Sequence, residues 1–167
     1  MLTGGIYRRL KDYPMYESFA DWVLSLYNRF LLRTGAWFPM SGRVCRIRLK
    51  GHSRPFFLRL GTSDWHVMEE LFFFGEYSSL CEADLRGVRR VVDLGANIGL
   101  SVRLFAGMYP EAHIVAVEPD AENMRICRMN AEAGAHLNRP TFVEACAGGT
   151  ERKVSLDRTG GNWAYRM

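Results

Sequence analysis

The stretch Val91-Val92-Asp93-Leu94-Gly95-Ala96-Asn97-Ile98-Gly99-Leu100 decides how this 167-residue chain is read. Arg90 to Leu94 is short, β-branched and apolar, which suits a strand buried on both faces of a parallel sheet. Gly95 and Gly99 bracket a turn after it; lacking a Cβ, glycine takes positive φ and lets a ligand lie against the backbone. From Ile98 to Met108 the apolar spacing becomes helical, so the N–H groups and positive dipole end of a helix face the turn. His113 to Pro119 reads as a second strand ending in a carboxylate. That residue, Glu118, lies 19 positions after Gly99, near the spacing at which an acidic side chain meets ribose hydroxyls.

Two nucleoside cofactors compete for such a turn. The dinucleotide fingerprint G-x-G-x-x-G has a second glycine that admits a pyrophosphate. Here Gly95-Ala96-Asn97-Ile98-Gly99 has Asn97 at the middle position, and Asp93 at the strand end would repel a pyrophosphate but welcome an ammonium group. S-adenosyl-L-methionine has an ammonium and a sulfonium and no phosphate, so the local chemistry favours it over NAD. Glu118 taking both ribose hydroxyls would repel a 2′-phosphate and so disfavours NADP. The plain alternative is a structural turn that binds nothing; Asp93, both glycines and Glu118 at fixed spacing weigh against it.

At these residues the chain resembles the FkbM-type methyltransferases, a family of S-adenosylmethionine-dependent enzymes with a Rossmann-like sheet. The likeness is carried by Asp93 to Gly99, Tyr109-Pro110, Val115 to Asp120 and Asn123. Upstream it is carried by Leu58 to Asp64, Glu69 and Gly75-Glu76-Tyr77, and it spans about residues 55 to 157. It implies an α/β Rossmann-like parallel sheet with flanking helices, and methyl transfer to a hydroxyl of a small-molecule or glycan acceptor. The cofactor-binding residues would be Asp93, Gly95, Ala96, Asn97, Gly99, Glu118 and Pro119. Tyr77, shortly before the first sheet strand, would reach the methionine end, and Ala147-Gly148-Gly149 would face the adenine.

Composition sets the remaining bounds. With 48% apolar residues the chain is long enough to bury a core,. A net charge of +4 with dispersed basic residues favours acidic partners mildly, and nucleic-acid binding is not expected,. Cys45, Cys81, Cys127 and Cys146 lack paired or metal-type spacing and read as reduced, mostly buried thiols of a cytoplasmic protein, with no metal site. Residues 1 to 13 carry Arg8, Arg9 and Lys11 without the apolar core of a signal peptide.

Three segments are expected: an extension with an amphipathic helix (1–42), a hairpin and helix leading into the core (43–87), and the cofactor domain (88–167). From Pro14 to Arg33 the residues Phe19, Trp22, Val23, Leu26, Tyr27, Phe30 and Leu31 recur at three and four, with Gly35 as a stop. This helix is expected to cover a core or another chain; aromatics on one face beside Arg29 and Arg33 also allow an interfacial membrane role, which Asp12, Glu17 and Asp21 dilute. No apolar run reaches the length of a bilayer span. Val44 to Lys50 and Phe56 to Leu60 alternate as a hairpin with one basic, solvated face. Thr62, Ser63 or Asp64 caps a helix running through Trp65, Met68, Leu71 and Phe72 to Gly75. The run Phe72-Phe73-Phe74 reads as packing beneath the sheet.

After Glu118 a helix from Asp120, which is a ready cap, to Ala133 ends at Gly134, Pro140 to Cys146 forms a third strand, and Lys153 to Leu156 a fourth, short one. Alternating strands and helices demand right-handed crossovers and a parallel sheet. The family's sheet needs about four further strands, so the sequence reads as a fragment, a truncated product, or a chain completed as a homo-oligomer through its exposed sheet edge. On that reading the chain is either a methyltransferase or a non-catalytic remnant that binds cofactor and needs another half. His113 and His136 fall at the amino edge of the sheet, whereas ligands bind at the carboxyl edge, and His52 and His66 read as surface or packing residues. No catalytic residue is assigned.

Overall fold

A computed structural model describes residues 13–34, 40–77, 87–134, 140–148 and 150. The chain divides into two compact units, Met1–Trp65 and His66–Met167, where the sequence suggests three segments. Gly35, Cys81, His136, Gly149 and Lys153 to Leu156 lie outside the described residues.

In the first unit a short 3-10 turn, Tyr13–Met15, leads to helix α1, Phe19–Thr34. Ser18 caps α1: its Oγ accepts from the Asp21 N–H at 3.1 Å and donates to Asp21 Oδ2 at 2.7 Å, which satisfies one of the helix's orphan N–H groups. Strands β1, Val44–Ile47, and β2, Phe56–Arg59, form an antiparallel pair with Cys45 opposite Leu58 and Ile47 opposite Phe56. The alternation holds as read: Ile47, Leu49, Phe56 and Leu58 are buried while Arg46, Arg48 and Lys50 are exposed.

Helix α1 turns a largely polar side inward. Its buried residues are Ser25, Asn28 and, from the expected apolar face, Leu31, whereas Phe19, Val23 and Phe30, expected to cover a core or another chain, are exposed and cover no core among the described residues. Asn28 explains the inversion. Its Oδ1 accepts from the Gly61 N–H at 2.7 Å and its Nδ2 donates to the Thr62 carbonyl at 3.4 Å, so the loop after β2 draws the helix's polar side inward to satisfy backbone groups that burial would otherwise orphan.

The same loop carries a buried ion pair. Arg59 Nε and Nη2 donate to Asp64 Oδ2 and Oδ1, each at 2.9 Å, and the Arg59 N–H donates to Oδ2 as well. Helix α2, Asp64–Phe72, starts there; Thr62 Oγ1 accepts from its first N–H at 3.3 Å, and the Trp65 indole donates to the Arg59 carbonyl. Beyond α2, Phe74 is 69% exposed, so the phenylalanine run is not all packed away.

The second unit holds a three-stranded parallel sheet in the order β3-β4-β5, formed by Arg90–Leu94, His113–Val117 and Thr141–Val143. Val91 pairs with Ile114, Asp93 with Ala116 and Val117 with Val143. Helices α3, Leu100–Met108, and α4, Ala121–Gly134, connect the strands. Val102, Phe105, Met124, Cys127 and Ala131 from these helices pack with Ile114 and Ala116, and Val91 and Phe142 join from the same sheet face. The other face is different. Val92 is 54% and Leu94 63% exposed, so β3 is not buried on both faces as its unbroken apolar run suggests; α3 and α4 share one side. Among the described residues β3 pairs with β4 alone. The third strand is shorter than Pro140 to Cys146, and of the three described cysteines only Cys127 is buried.

Candidate functional site

The site grows from the β3–α3 turn. Gly95 has φ 85°, Asn97 φ 49° and Gly99 φ 79°, left-handed conformations that glycine takes freely and asparagine more readily than most residues. The two glycines do different work. A Cβ on Gly95 would meet nothing within 4 Å, whereas one on Gly99 would lie 2.7 Å from Cys127 Sγ and 2.9 Å from the Cys127 carbonyl. Gly95 therefore leaves open space beside the turn, and Gly99 admits α4.

Hydrogen bonds close the turn onto the second strand. The N–H groups of Gly95 and Ala96 both donate to the Val117 carbonyl at 2.9 Å, and that of Gly99 donates to the Ala96 carbonyl at 2.8 Å. The Asn97 N–H donates to Glu118 Oε2 at 2.9 Å. Four of the N–H groups that a phosphate cradle would need are thus already engaged.

Glu118 is 4% exposed. Besides the bond from Asn97, its Oε1 accepts from the Asp120 N–H at 3.1 Å and from Asn123 Nδ2 at 3.2 Å. Asp120 in turn caps α4, its Oδ1 accepting from the Asn123 N–H, as its position suggests. Each carboxylate oxygen accepts about two hydrogen bonds, so Oε1 is filled and Oε2 has capacity for one more. The carboxylate ties the turn to the second strand and to α4.

A pocket of about 160 Å³ opens on the other side of the turn, lined by Tyr77, Asp93, Gly95, Ala96 and Asn97, with Val67, Leu71 and Ser101 among its walls. Five of the eight residues read from the sequence meet there. Gly99, Glu118 and Pro119 do not line it. Pockets for whole small-molecule ligands run to about 300–1,000 Å³, so this volume suits an amino-acid head group more than a complete nucleoside.

The pocket is electrostatically negative. Asp93 accepts from Ser101 Oγ at 2.6 Å; burial raises its pKa, the Ser101 bond opposes that, and the charge of Glu118 adds to it. Tyr77 sets its ring edge-on to Phe105 at 5.4 Å between centroids, and its phenol is raised by burial, then by Asp93 and Glu76. The Cys127 thiol is pushed up to about 12 by burial and by Asp93 and Glu118, which makes it a packing residue rather than a nucleophile. Asn97 is among the lining residues, but its Oδ1 is closed to solvent and has no hydrogen-bond partner.

Ser101 escaped the sequence reading because a serine in the first turn of a helix carries no signal of what it holds. His113 begins β4 with Nε2 2.9 Å from Thr141 Oγ1, away from the pocket lining, while His66 pairs with Glu70 along α2 and His52 packs on Phe56. No protein-family model matches the chain, and no curated protein matches it.

Proposed function

We propose that the second unit binds S-adenosyl-L-methionine through the β3–α3 turn, as a Rossmann-like module of the FkbM methyltransferase type. The observation that carries this reading is the pocket at that turn, lined by Asp93 and Glu76 and, among the described residues, by no basic side chain. An ammonium group is a donor and a cation, and a carboxylate is an acceptor and an anion. The raised pKa of Asp93 marks a carboxylate whose charge lacks compensation in the protein, which a bound cation would supply.

The same geometry argues against a dinucleotide. The N–H groups of Gly95, Ala96, Asn97 and Gly99 all donate within the protein, and the carboxylates of Asp93 and Glu76 line the pocket, where they would repel phosphates. At the ribose end the fit is partial, because Glu118 has capacity for one hydroxyl at Oε2 and is otherwise engaged.

The cofactor supplies a methyl group already activated by its sulfonium. The chain's own contribution is then alignment and exclusion of water: Asp93 fixes the amino-acid head group, Ser101 holds Asp93, and Tyr77, set edge-on against Phe105 of the core, lines the pocket. Transfer to a hydroxyl of a small-molecule or glycan acceptor follows the family resemblance. A module that binds cofactor without completing catalysis is the second reading, favoured by the small pocket volume. Equilibrium dialysis of the chain against labelled S-adenosylmethionine and against NAD tests the binding claim: retention of the first alone supports it, and retention of neither, or of NAD, refutes it.

A further inference from the structure

Helix α1 presents its apolar face outward. Phe19, Val23, Leu26 and Phe30 recur at three and four along its 16 residues, so they share one side. Phe19 is 63%, Val23 41% and Phe30 50% exposed, and Trp22, half-buried, lies 5.5 Å from the Phe19 ring. The side that is buried carries Ser25, Asn28 and Leu31. Asn28 is anchored by the backbone of Gly61 and Thr62, so rolling the aromatic stripe inward would break two inward-facing hydrogen bonds. The outward orientation is fixed by the fold rather than incidental.

Charge singles out the same unit. Residues 1–65 contain eleven basic and four acidic side chains, and residues 66–167 eleven basic and fourteen acidic. The chain's net +4 is thus a first unit at +7 and a second at −3. Arg43, Arg46, Arg48, Lys50 and Arg54 are all exposed, and Arg29 and Arg33 follow the stripe along α1. The helix's one acidic residue, Asp21, is held at the cap by Ser18 and falls on the side opposite the stripe, where it does not dilute the positive charge.

We propose that α1 docks the chain on an anionic lipid surface, its aromatic stripe lying in the headgroup boundary and the basic surface of the first unit meeting the headgroups. Amphipathic aromatic rings favour that boundary, and anionic headgroups attract Lys and Arg near the surface. No helix among the described residues is long and apolar enough to cross a membrane, so the helix lies on the bilayer rather than in it. The surplus of seven positive charges selects an anionic bilayer over a neutral apolar groove of another protein. The proposal does not rest on the cofactor reading, which concerns the other unit.

Flotation of the full chain with phosphatidylcholine vesicles, with and without phosphatidylserine, tests it. The account expects binding to the anionic vesicles only, weakened by added salt. The double variant Phe19→Ser/Phe30→Ser should lower that binding by roughly tenfold or more, and Arg29→Gln/Arg33→Gln should lower it less. Leu32→Ser, at a position that is also exposed but off the stripe, should bind as the wild type does. Thermal melting of each variant separates loss of docking from loss of fold; if the phenylalanine variant melts early, the arginine variant and the salt dependence decide. Failure to float, equal binding to neutral and anionic vesicles, or unchanged binding after loss of both phenylalanines would overturn the proposal. So would self-association by light scattering that Phe19→Ser/Phe30→Ser abolishes, since the stripe would then join two copies of the chain.

Discussion

Gly99 and Cys127 approach so closely that a single added carbon on Gly99 would lie 2.7 Å from the thiol sulfur and 2.9 Å from the Cys127 Cα. Two of the three nearest atoms belong to the α4 backbone, which cannot swing aside. Gly99→Ala therefore combines a strained φ with overpacking and should destabilise the second unit by about 2–4 kcal/mol. Gly95→Ala, strained but facing open space, should cost only about 1 kcal/mol. Urea unfolding of both variants checks the ranking. Adding Cys127→Ala to Gly99→Ala should not restore stability, because the backbone contacts remain.

Asp93 should trade stability for binding. Its folded pKa lies above the ordinary 3.8, through burial first, then against the Ser101 bond and with the Glu118 charge. A carboxyl with a raised folded pKa binds its proton more tightly in the native state, so its contribution to stability is present at low pH and is lost as pH rises from 3.8 through the raised value. Above that window the ionised side chain destabilises the unliganded protein. Asp93→Asn should accordingly raise the melting temperature at neutral pH by a few degrees, equivalent to about 1 kcal/mol or less, while weakening S-adenosylmethionine binding. A lower melting temperature would show that the Ser101 bond outweighs burial.

Glu118→Ala should remove three hydrogen bonds at once, leaving the Asn97 and Asp120 N–H groups and Asn123 Nδ2 without their acceptor. Orphaned buried donors cost about 1–3 kcal/mol each before relaxation, and a net loss of about 2–4 kcal/mol is expected by thermal unfolding. Glu118→Gln should fall between, since one amide oxygen can replace only part of the carboxylate. A stability change below about 0.5 kcal/mol in Glu118→Ala would show that the carboxylate does not tie the turn together.

Asp64→Ala takes both carboxylate oxygens away from the Arg59 guanidinium, whose side chain is 5% exposed. Removing one partner of a buried pair typically costs about 3–5 kcal/mol, and the loss should appear in circular dichroism as weakening of the first unit. Asp64→Asn retains an oxygen for the Arg59 N–H and should cost less.

The strand–turn–helix at Arg90 to Met108 was legible because everything about it is local: a β-branched run, two glycines and a change of apolar period sit within a few residues. Asp120 as a cap and the alternation of β1 and β2 were legible for the same reason. Helix α1 shows where such reading ends. Its period reveals that Phe19, Val23 and Phe30 share a face, but the face that turns inward was settled by Asn28 meeting backbone groups some thirty residues later, at Gly61 and Thr62. The exposure of Val92 and Leu94 was hidden likewise, since an apolar strand does not record on which side its helices lie. Asp93, Asn97 and Tyr77, all named from the sequence, line one pocket. Ser101 was missed, and Glu118 proved to be held by three donors that only the folded chain brings to it.

The central claim is that Asp93 recognises the amino-acid end of the cofactor. The most direct measurement is calorimetric titration of the chain with S-adenosylmethionine and with 5′-methylthioadenosine, which keeps the nucleoside but lacks the ammonium and the sulfonium. The account predicts that S-adenosylmethionine binds at least about tenfold more tightly and that Asp93→Asn abolishes most of that preference. Equal affinity for the two ligands, a preference unchanged in Asp93→Asn, or no binding heat from either would contradict it.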